Sequence, residues 1–453
     1  MATAAHDAGH FTAARSTPDQ PSAGPVADRI VALDFVRGAA LFGILLMNIA
    51  SFGLPHAYSN PINAGGAEGI NLLSWIIIVV GFEGTQRALF SMLFGAGIIL
   101  FTSRLEAKGR TDVADIYTRR NLWLTFFGLI NGFIFLWSGD ILFYYGLIAL
   151  IAFPFRTLAP KWLFAIAVGV LAFGAGWGVL DNKALLEKHA AYELVQTSDA
   201  QPTPEQEKLA KEWEGALEGF EYTAEEQQAY IAARTASYPS AFAQIAEETR
   251  QAQSWFFYRF LFFDVFNMML IGLGLFKLGV FTLERRTRFY VALVVIGYGI
   301  GLTVNTLETR WIIDNDFSLL AFSQARMTYD LGRLAMTAGH LGLLLLIARS
   351  GILPLLQHAL ACVGRMAFTN YLTHSVVCAI LFVGLGYFGQ LERHQLFYVV
   401  FGIWAAQLVL SPLWLSKFSM GPLEWLWRAL TYWTLPPMRR SPLAGSLLAT
   451  SSS

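Results

Sequence analysis

The segment from Gly364 to Ser375, GRMAFTNYLTHS, sets Asn370 and His374 one helical turn apart, with Thr369, Tyr371 and Thr373 beside them. An imidazole there is either a general base or a hydrogen-bonded packing group, since a polar side chain at bilayer depth costs a few kcal/mol unless it is partnered. Asp140, in the short link Ser138-Gly139-Asp140, is either the N-cap of the helix that follows or a carboxylate that orients an imidazole or a substrate hydroxyl. Asn131, about two turns earlier, faces the same cavity or cross-links helices. His56 follows Asn48 closely, where water and substrate reach it. His340, and Asp264 with Asn267, are further polar groups inside apolar runs.

The cations suggest the complementary chemistry. In LDFVRGAALFGILLMNI, residues Asp34, Arg37, Leu41, Leu45 and Asn48 fall on one helical face. Asp34 and Arg37 form an ion pair three residues apart, with Arg37 reaching lipid phosphates, or they line the mouth of a site. Gly38, Ala39, Ala40 and Gly43 make a small-residue surface for a helix or a flat ligand. Arg37, Arg365 and Arg428 are the candidate binders of an anionic cofactor's phosphates. Arg428 lies in GPLEWLWRALTYW, whose proline, Glu424/Arg428 spacing and aromatics predict an interfacial helix over 421–433. No HExxH, paired CxxC or Walker loop is present, so no metal is expected. GLGLFKLG at 272–279 has no strand before it and is better read as helix packing.

Such groups must be positioned by membrane helices. The 453 residues are 55% hydrophobic and 14% charged, with a mean hydropathy of +0.48. An ordinary soluble domain is about a quarter charged, so the composition excludes a soluble enzyme. Zero net charge offers no basic field for nucleic acid. The pattern predicts an all-α polytopic bundle of about ten spans, at 34–54, 84–101, 121–137, 141–155, 162–180, 255–280, 289–309, 330–348, 366–388 and 396–415. The apolar segment 70–82 is short and precedes Glu83 and Arg87, so it reads as an interfacial or re-entrant lead-in.

Basic residues orient the spans. Arg104, Lys108, Arg110, Arg119, Arg120, Arg156, Lys161, Arg285, Arg286, Arg288, Arg349, Lys417, Arg439 and Arg440 fall on one side if both termini are cytoplasmic, with Arg310, Arg326 and Arg393 as exceptions. Residues 1–28 read as a disordered tail, 29–180 as a five-span half, 255–435 as a second five-span half, and 436–453 as a tail. Between the halves, 181–254 holds 14 acidic and 6 basic residues and reads as a helical exocytoplasmic insertion, either a solvated cap or a lid. Thr203-Pro204 and the box from Thr223 to Glu226 mark helix starts within it. On one helix Cys362 and Cys378 would lie about 24 Å apart, too far for a disulfide.

The motifs LDFVRGAALFGILLMNIASFGLP (33–55), LFSMLFGAGIIL (89–100), GDILFYYGL (139–147), CVGRMAFTNYL (362–372) and GPLEWLWRALT (421–431) resemble, in order, those of the YeiB-like bacterial membrane proteins. The C-terminal half of that family is a domain of unknown function numbered 418. Members often carry a histidine where this chain has Asn131. The first-helix pattern is similar to that of transmembrane acyltransferases of the heparan-α-glucosaminide N-acetyltransferase type. That likeness implies an inner-membrane enzyme taking acyl groups from cytoplasmic acetyl-CoA or another acyl-CoA to an exocytoplasmic or lipid-linked acceptor. It implies His56 acting near the exocytoplasmic end of the first helix. The expected alternative is a transporter or exporter of a small polar metabolite, with Asn48, Asn131, Asn370 and His374 lining its path. The bilayer, the acceptor and a second copy of the chain are the expected partners.

Overall fold

A computed structural model describes residues 30–57, 60–197 and 201–439. The expected tail 1–28 and most of the expected tail 436–453 lie outside them. Among the described residues the chain is helical throughout, with one isolated bridge between Phe418 and Arg439. Residues 436–439 belong to the fold: Ser419 donates its N–H to Met438 O at 2.9 Å, and the Trp425 indole donates to Pro436 O at 2.7 Å.

Among the described residues eight helical stretches are long and apolar enough to cross a bilayer. They differ in how much protein surrounds them. The apolar window of α1 (Val31–Gly53) is 72% buried, against 11% for α6 (Pro160–Thr197). So α1 is the central post and α6 a lipid-facing stave. The other expected spans, in α4 (Val113–Leu129) with its wide turn at 130–134 and in α5 (Leu142–Ala152), are shorter. They pack antiparallel, Gly128 against Phe143 and Gly146 against Asn121.

Glycines set the close crossings, because a Cβ there would strike backbone. Gly38 of α1 meets Gly364 at the end of α14 (Pro354–Arg365), so the small-residue surface of α1 serves helix contact. Gly95 of α3 (Thr85–Ala107) and Gly272 of α10 (Phe262–Lys277) seat those helices in parallel, accounting for the glycines of 272–279. The pair α11 (Thr287–Asp314) and α13 (Tyr329–Ser350) closes through Gly297, Gly301 and Gly339.

The lead-in segment is itself a helix, α2 (Gly69–Gly81), broken from α3 at Phe82–Gly84, where Gly84 takes φ 66°. A break at membrane depth frees carbonyls that lipid cannot satisfy. Here Asn305 donates to Val80 O at 2.8 Å, and His340 Nε2 stands 2.7 Å from Gly81 O. A carbonyl only accepts, so His340 donates through Nε2 and takes the Tyr298 hydroxyl at Nδ1, 2.9 Å away.

The segment 181–254 is not a separate body. It is the upper part of α6, then α7 (Pro204–Glu218), α8 (Ala224–Ala236) and α9 (Tyr238–Gln251), with α9 running through a π-helical stretch at 252–261 into α10. Thr203 and Thr223 both close capping boxes, the first through Gln206. The basic exceptions to the charge rule are each engaged: Arg310 with Asp314 at 3.2 Å, Arg326 over the Phe260 ring at 4.8 Å, and buried Arg393 donating to Ala57 O at 2.7 Å.

The remaining elements are α12 (Leu319–Ala325), α15 (Ala367–Cys378) with a π-turn at 379–384, α16 (Leu396–Lys417) and α17 (Pro422–Tyr432). Both cysteines are buried and neither is in a disulfide, and Cys362 Sγ lies 3.6 Å from His358 Nε2.

Candidate functional site

The expected site residues fall into four groups. At the insertion end of α1, His56 takes φ 50°, its carbonyl accepting from Asn63 Nδ2 at 3.5 Å. Asn63 also donates to Phe220 O at 3.0 Å and accepts from Tyr222 N at 3.3 Å, tying the insertion to this loop. The imidazole stacks on Tyr222 with centroids 3.6 Å apart and tilts against Tyr230 at 4.3 Å. The Tyr230 hydroxyl donates to Glu248 Oε1 at 2.5 Å, Ser138 donates to Glu248 Oε2 at 3.1 Å, and Arg234 Nη2 donates to the Tyr230 hydroxyl at 2.9 Å. Half-burial pulls the His56 pKa below the ordinary imidazole range, against the opposing charge of Glu248. That shift favours the uncharged ring. Tyr222, Tyr230, Arg234 and Glu248 belong to the insertion, and the sequence reading assigned none of them; a capping box at Thr223 was the signal that this stretch is ordered.

Asp140 lies in a second group. It is 1% exposed, accepts Asn131 Nδ2 at 2.7 Å and Phe143 N at 2.8 Å, and so caps α5. The Tyr371 hydroxyl accepts Ile141 N at 3.1 Å, so Asn131, Asp140 and Tyr371 knit α4, α5 and α15 together. His374 heads a third group between α15 and α16. Gln407 Nε2 donates to Asn370 O at 3.1 Å, which leaves Gln407 Oε1 to accept from His374 Nε2 at 3.1 Å. Asn370 donates to Val363 O and Ser411 Oγ, each at 3.1 Å. His374 is 2% exposed, and each of these bonds joins helix to helix. Asn48, half-buried on α1, has no hydrogen bond in any of these groups.

The fourth group is at the basic end. Arg37 pairs with Asp34 at 2.8 Å, as its spacing predicts. Arg120 lies between Trp427 at 3.7 Å and Phe101 at 4.8 Å, with no carboxylate among the described residues paired to it, and close enough to Arg37 and Arg428 to feel both charges. Arg365 instead donates to Ser419 O at 3.2 Å. Glu424 forms no ion pair with Arg428 among the described residues. Its carboxylate turns to the start of α15, accepting Phe368 N at 2.8 Å, Thr369 N at 3.1 Å and the Thr369 hydroxyl at 2.5 Å. Burial pushes the Glu424 carboxyl up, against those donors. The aromatic helix therefore clamps α4 and α15 as well as suiting an interface.

Sequence reasoning also underrated an ionic knot beneath the helix break. Asp264 accepts Arg87 Nε at 2.9 Å and Arg333 Nη1, and Arg333 Nη2 reaches Asp330 at 2.7 Å. Arg333 is 3% exposed. Glu83 and Arg87 had been read only as the end of a lead-in. Between the His56 group and the basic end, α1 is packed by Leu41, Leu45 and Ile49, all nearly inaccessible. Among the described residues no set of three His, Cys, Asp or Glu is placed to hold a metal.

The family model described as "Protein of unknown function (DUF418)" matches residues 275–434. Over 416 residues the chain is 32% identical to the uncharacterized protein YeiB of Escherichia coli (strain K12), spanning 89% of this chain and 96% of that one. The uncharacterized protein YxaH of Bacillus subtilis (strain 168) is 29% identical over 425 residues, 91% of this chain and 96% of its own. An uncharacterized 39.9 kDa protein from the amylase 3′ region of Bacillus acidopullulyticus is 24% identical over 408 residues, 89% of this chain and 94% of its own. No solved structure matches.

Proposed function

The chain belongs to the YeiB family of DUF418 membrane proteins, and from that premise we propose that it is an acyltransferase of the bacterial cytoplasmic membrane. It takes an acyl group from a cytoplasmic acyl-CoA and passes it to an exocytoplasmic or lipid-linked hydroxyl or amine. The observation that carries the reading is the polarity of α1, with a cation group at one end and a half-buried imidazole stacked on two tyrosines at the other. Arg120 fits a phosphate: it is a guanidinium held by aromatic faces with no carboxylate among the described residues paired to it, and Arg37 and Arg428 add charge beside it. Arg365, engaged with Ser419 O, has a lesser part.

His56 takes the proton of the acceptor and returns it to the leaving thiolate. Tyr222 fixes the ring plane, and Glu248 acts on the ring through Tyr230. Asp140 positions the outer ends of α4 and α5 and has no direct part in proton transfer. His374 serves helix packing. Because α1 is packed along its middle, transfer requires the bundle to open beside it during turnover. Radiolabelled acetyl-CoA supplied to the cytoplasmic face of oriented membrane vesicles tests the reading. Label appearing in material on the opposite face, and lost in His56→Ala, is expected; equal labelling with and without the protein overturns it.

A second reading, export of a small polar metabolite, draws support from one feature, the broken helix α2–α3 with the Arg87–Asp264–Arg333 knot under it. Solute counterflow in reconstituted vesicles without acyl-CoA would favour it.

A further inference from the structure

We propose that Arg234 is a catalytic residue of this transfer, donating a hydrogen bond to the acyl carbonyl oxygen as charge develops on it, so that the insertion completes the site. The proposal rests on the acyl-transfer reading above. Where the outer end of α1 meets the 135–141 link, α8, α9 and the turn after α15 there is a cavity of about 20 Å³, with Ser51, Phe52, Ser138, Arg234, Cys378 and Val383 in its wall. That space admits one guest about the size of a water oxygen.

Arg234 is 7% exposed, and its surroundings account for only part of its guanidinium. Nη2 serves the Tyr230 hydroxyl, Glu248 stands 3.6 Å away, and the rings of Tyr230 and Phe388 flank it at 5.1 Å each. Among the described residues Nη1 is buried without a hydrogen-bond partner. A buried cationic N–H left without an acceptor is costly, and groups of this kind persist where a ligand completes them. The cavity provides the room for that acceptor. His56 packs on the same Tyr230 ring, so the base and the unused donor flank one tyrosine.

The chemistry balances without a further reagent. The acceptor's lone pair forms the new bond to the thioester carbonyl carbon while His56 takes its proton, and the carbonyl π pair moves onto the oxygen facing Arg234 Nη1. The oxygen then re-forms the double bond, the carbon–sulfur bond breaks, and the thiolate leaves with the proton held by His56. A preorganised donor at that oxygen acts in the transition state more than in substrate binding. The effect therefore belongs in kcat and not in KM.

The test uses the full chain in native membranes, with radiolabelled acetyl-CoA as probe and label incorporated into the membrane fraction as readout. Arg234→Met is expected to lower the saturated rate about 10²–10³-fold with the half-saturating acetyl-CoA concentration little changed, and Arg234→Lys to recover part of that loss. Cys378→Leu fills the cavity without touching the arginine and is expected to give the same loss of rate. Thermal unfolding of each purified variant reports whether it is folded, and a folded Arg234→Met or Cys378→Leu that labels at the wild-type rate overturns the assignment while leaving acyl transfer intact. Absence of labelling by the wild type overturns both.

Discussion

His56 and His374 stand on neighbouring elements of one bundle and differ in almost every physical respect. His374 is sealed between α15 and α16, one nitrogen bound to Gln407, and that amide is in turn bound to the backbone of Asn370. His56 is half-buried, stacked against two tyrosines of the insertion, one of which also carries a guanidinium with a spare donor. A polar group whose bonds all go to neighbouring helices contributes to assembly. One whose neighbours hold unused bonding capacity is available to a ligand. Hydropathy and spacing report that a polar residue is present at depth but not whether its valences are filled, and only the fold separates the two cases.

The contrast can be broken by mutation. His56→Ala should lower acyl transfer about 10²–10⁴-fold with little change in thermal unfolding, the usual scale for removing a general base. His374→Ala should retain transfer, and labelling lost equally in both variants would erase the distinction. The ionic knot sets the upper scale for a purely structural group: Asp264→Ala removes the buried carboxylate shared by Arg87 and Arg333 and should cost about 3–5 kcal/mol, read as a lowered unfolding midpoint in detergent. His374→Ala, which strands the Gln407 amide, should cost about 1–3 kcal/mol. Glu424→Ala, which uncaps α15, should cost about 0.5–2 kcal/mol.

The pH profile sharpens the same comparison. His56 has a pKa lowered by burial, so its neutral form persists down to pH values below the ordinary imidazole pKa of about 6.5. The transfer rate should stay level from neutrality to that point and fall on further acidification. A rate that already falls between pH 8 and about 6.5 would mean that His56 is not the titrating base.

The helical class, the apolar helices and the helix that starts at Pro422 were legible because apolar run length and the proline itself report local preference. Thr223 and Glu226 gave the insertion's cap for the same reason. The Asp34–Arg37 pair was legible because its partners are three residues apart. The Arg87–Asp264–Arg333 knot was not, because its members are brought together by the parallel seating of α3 on α10, which no local pattern encodes. Glu424 misled for a related reason. Its i,i+4 spacing to Arg428 is real, yet the bare N–H groups at the start of α15 compete better for a buried carboxylate.

The contact between Glu424 and α15 has a consequence for biosynthesis. The N–H groups of Phe368 and Thr369 wait for a carboxylate made more than fifty residues later, in α17. Until the ribosome has delivered that helix, α15 lacks its cap, and α4, made three hundred residues earlier, lacks the indole that binds the Arg120 carbonyl. Closure of this face thus waits until α17 has been made, and chains released before that point should present quality-control proteases with an unlatched bundle.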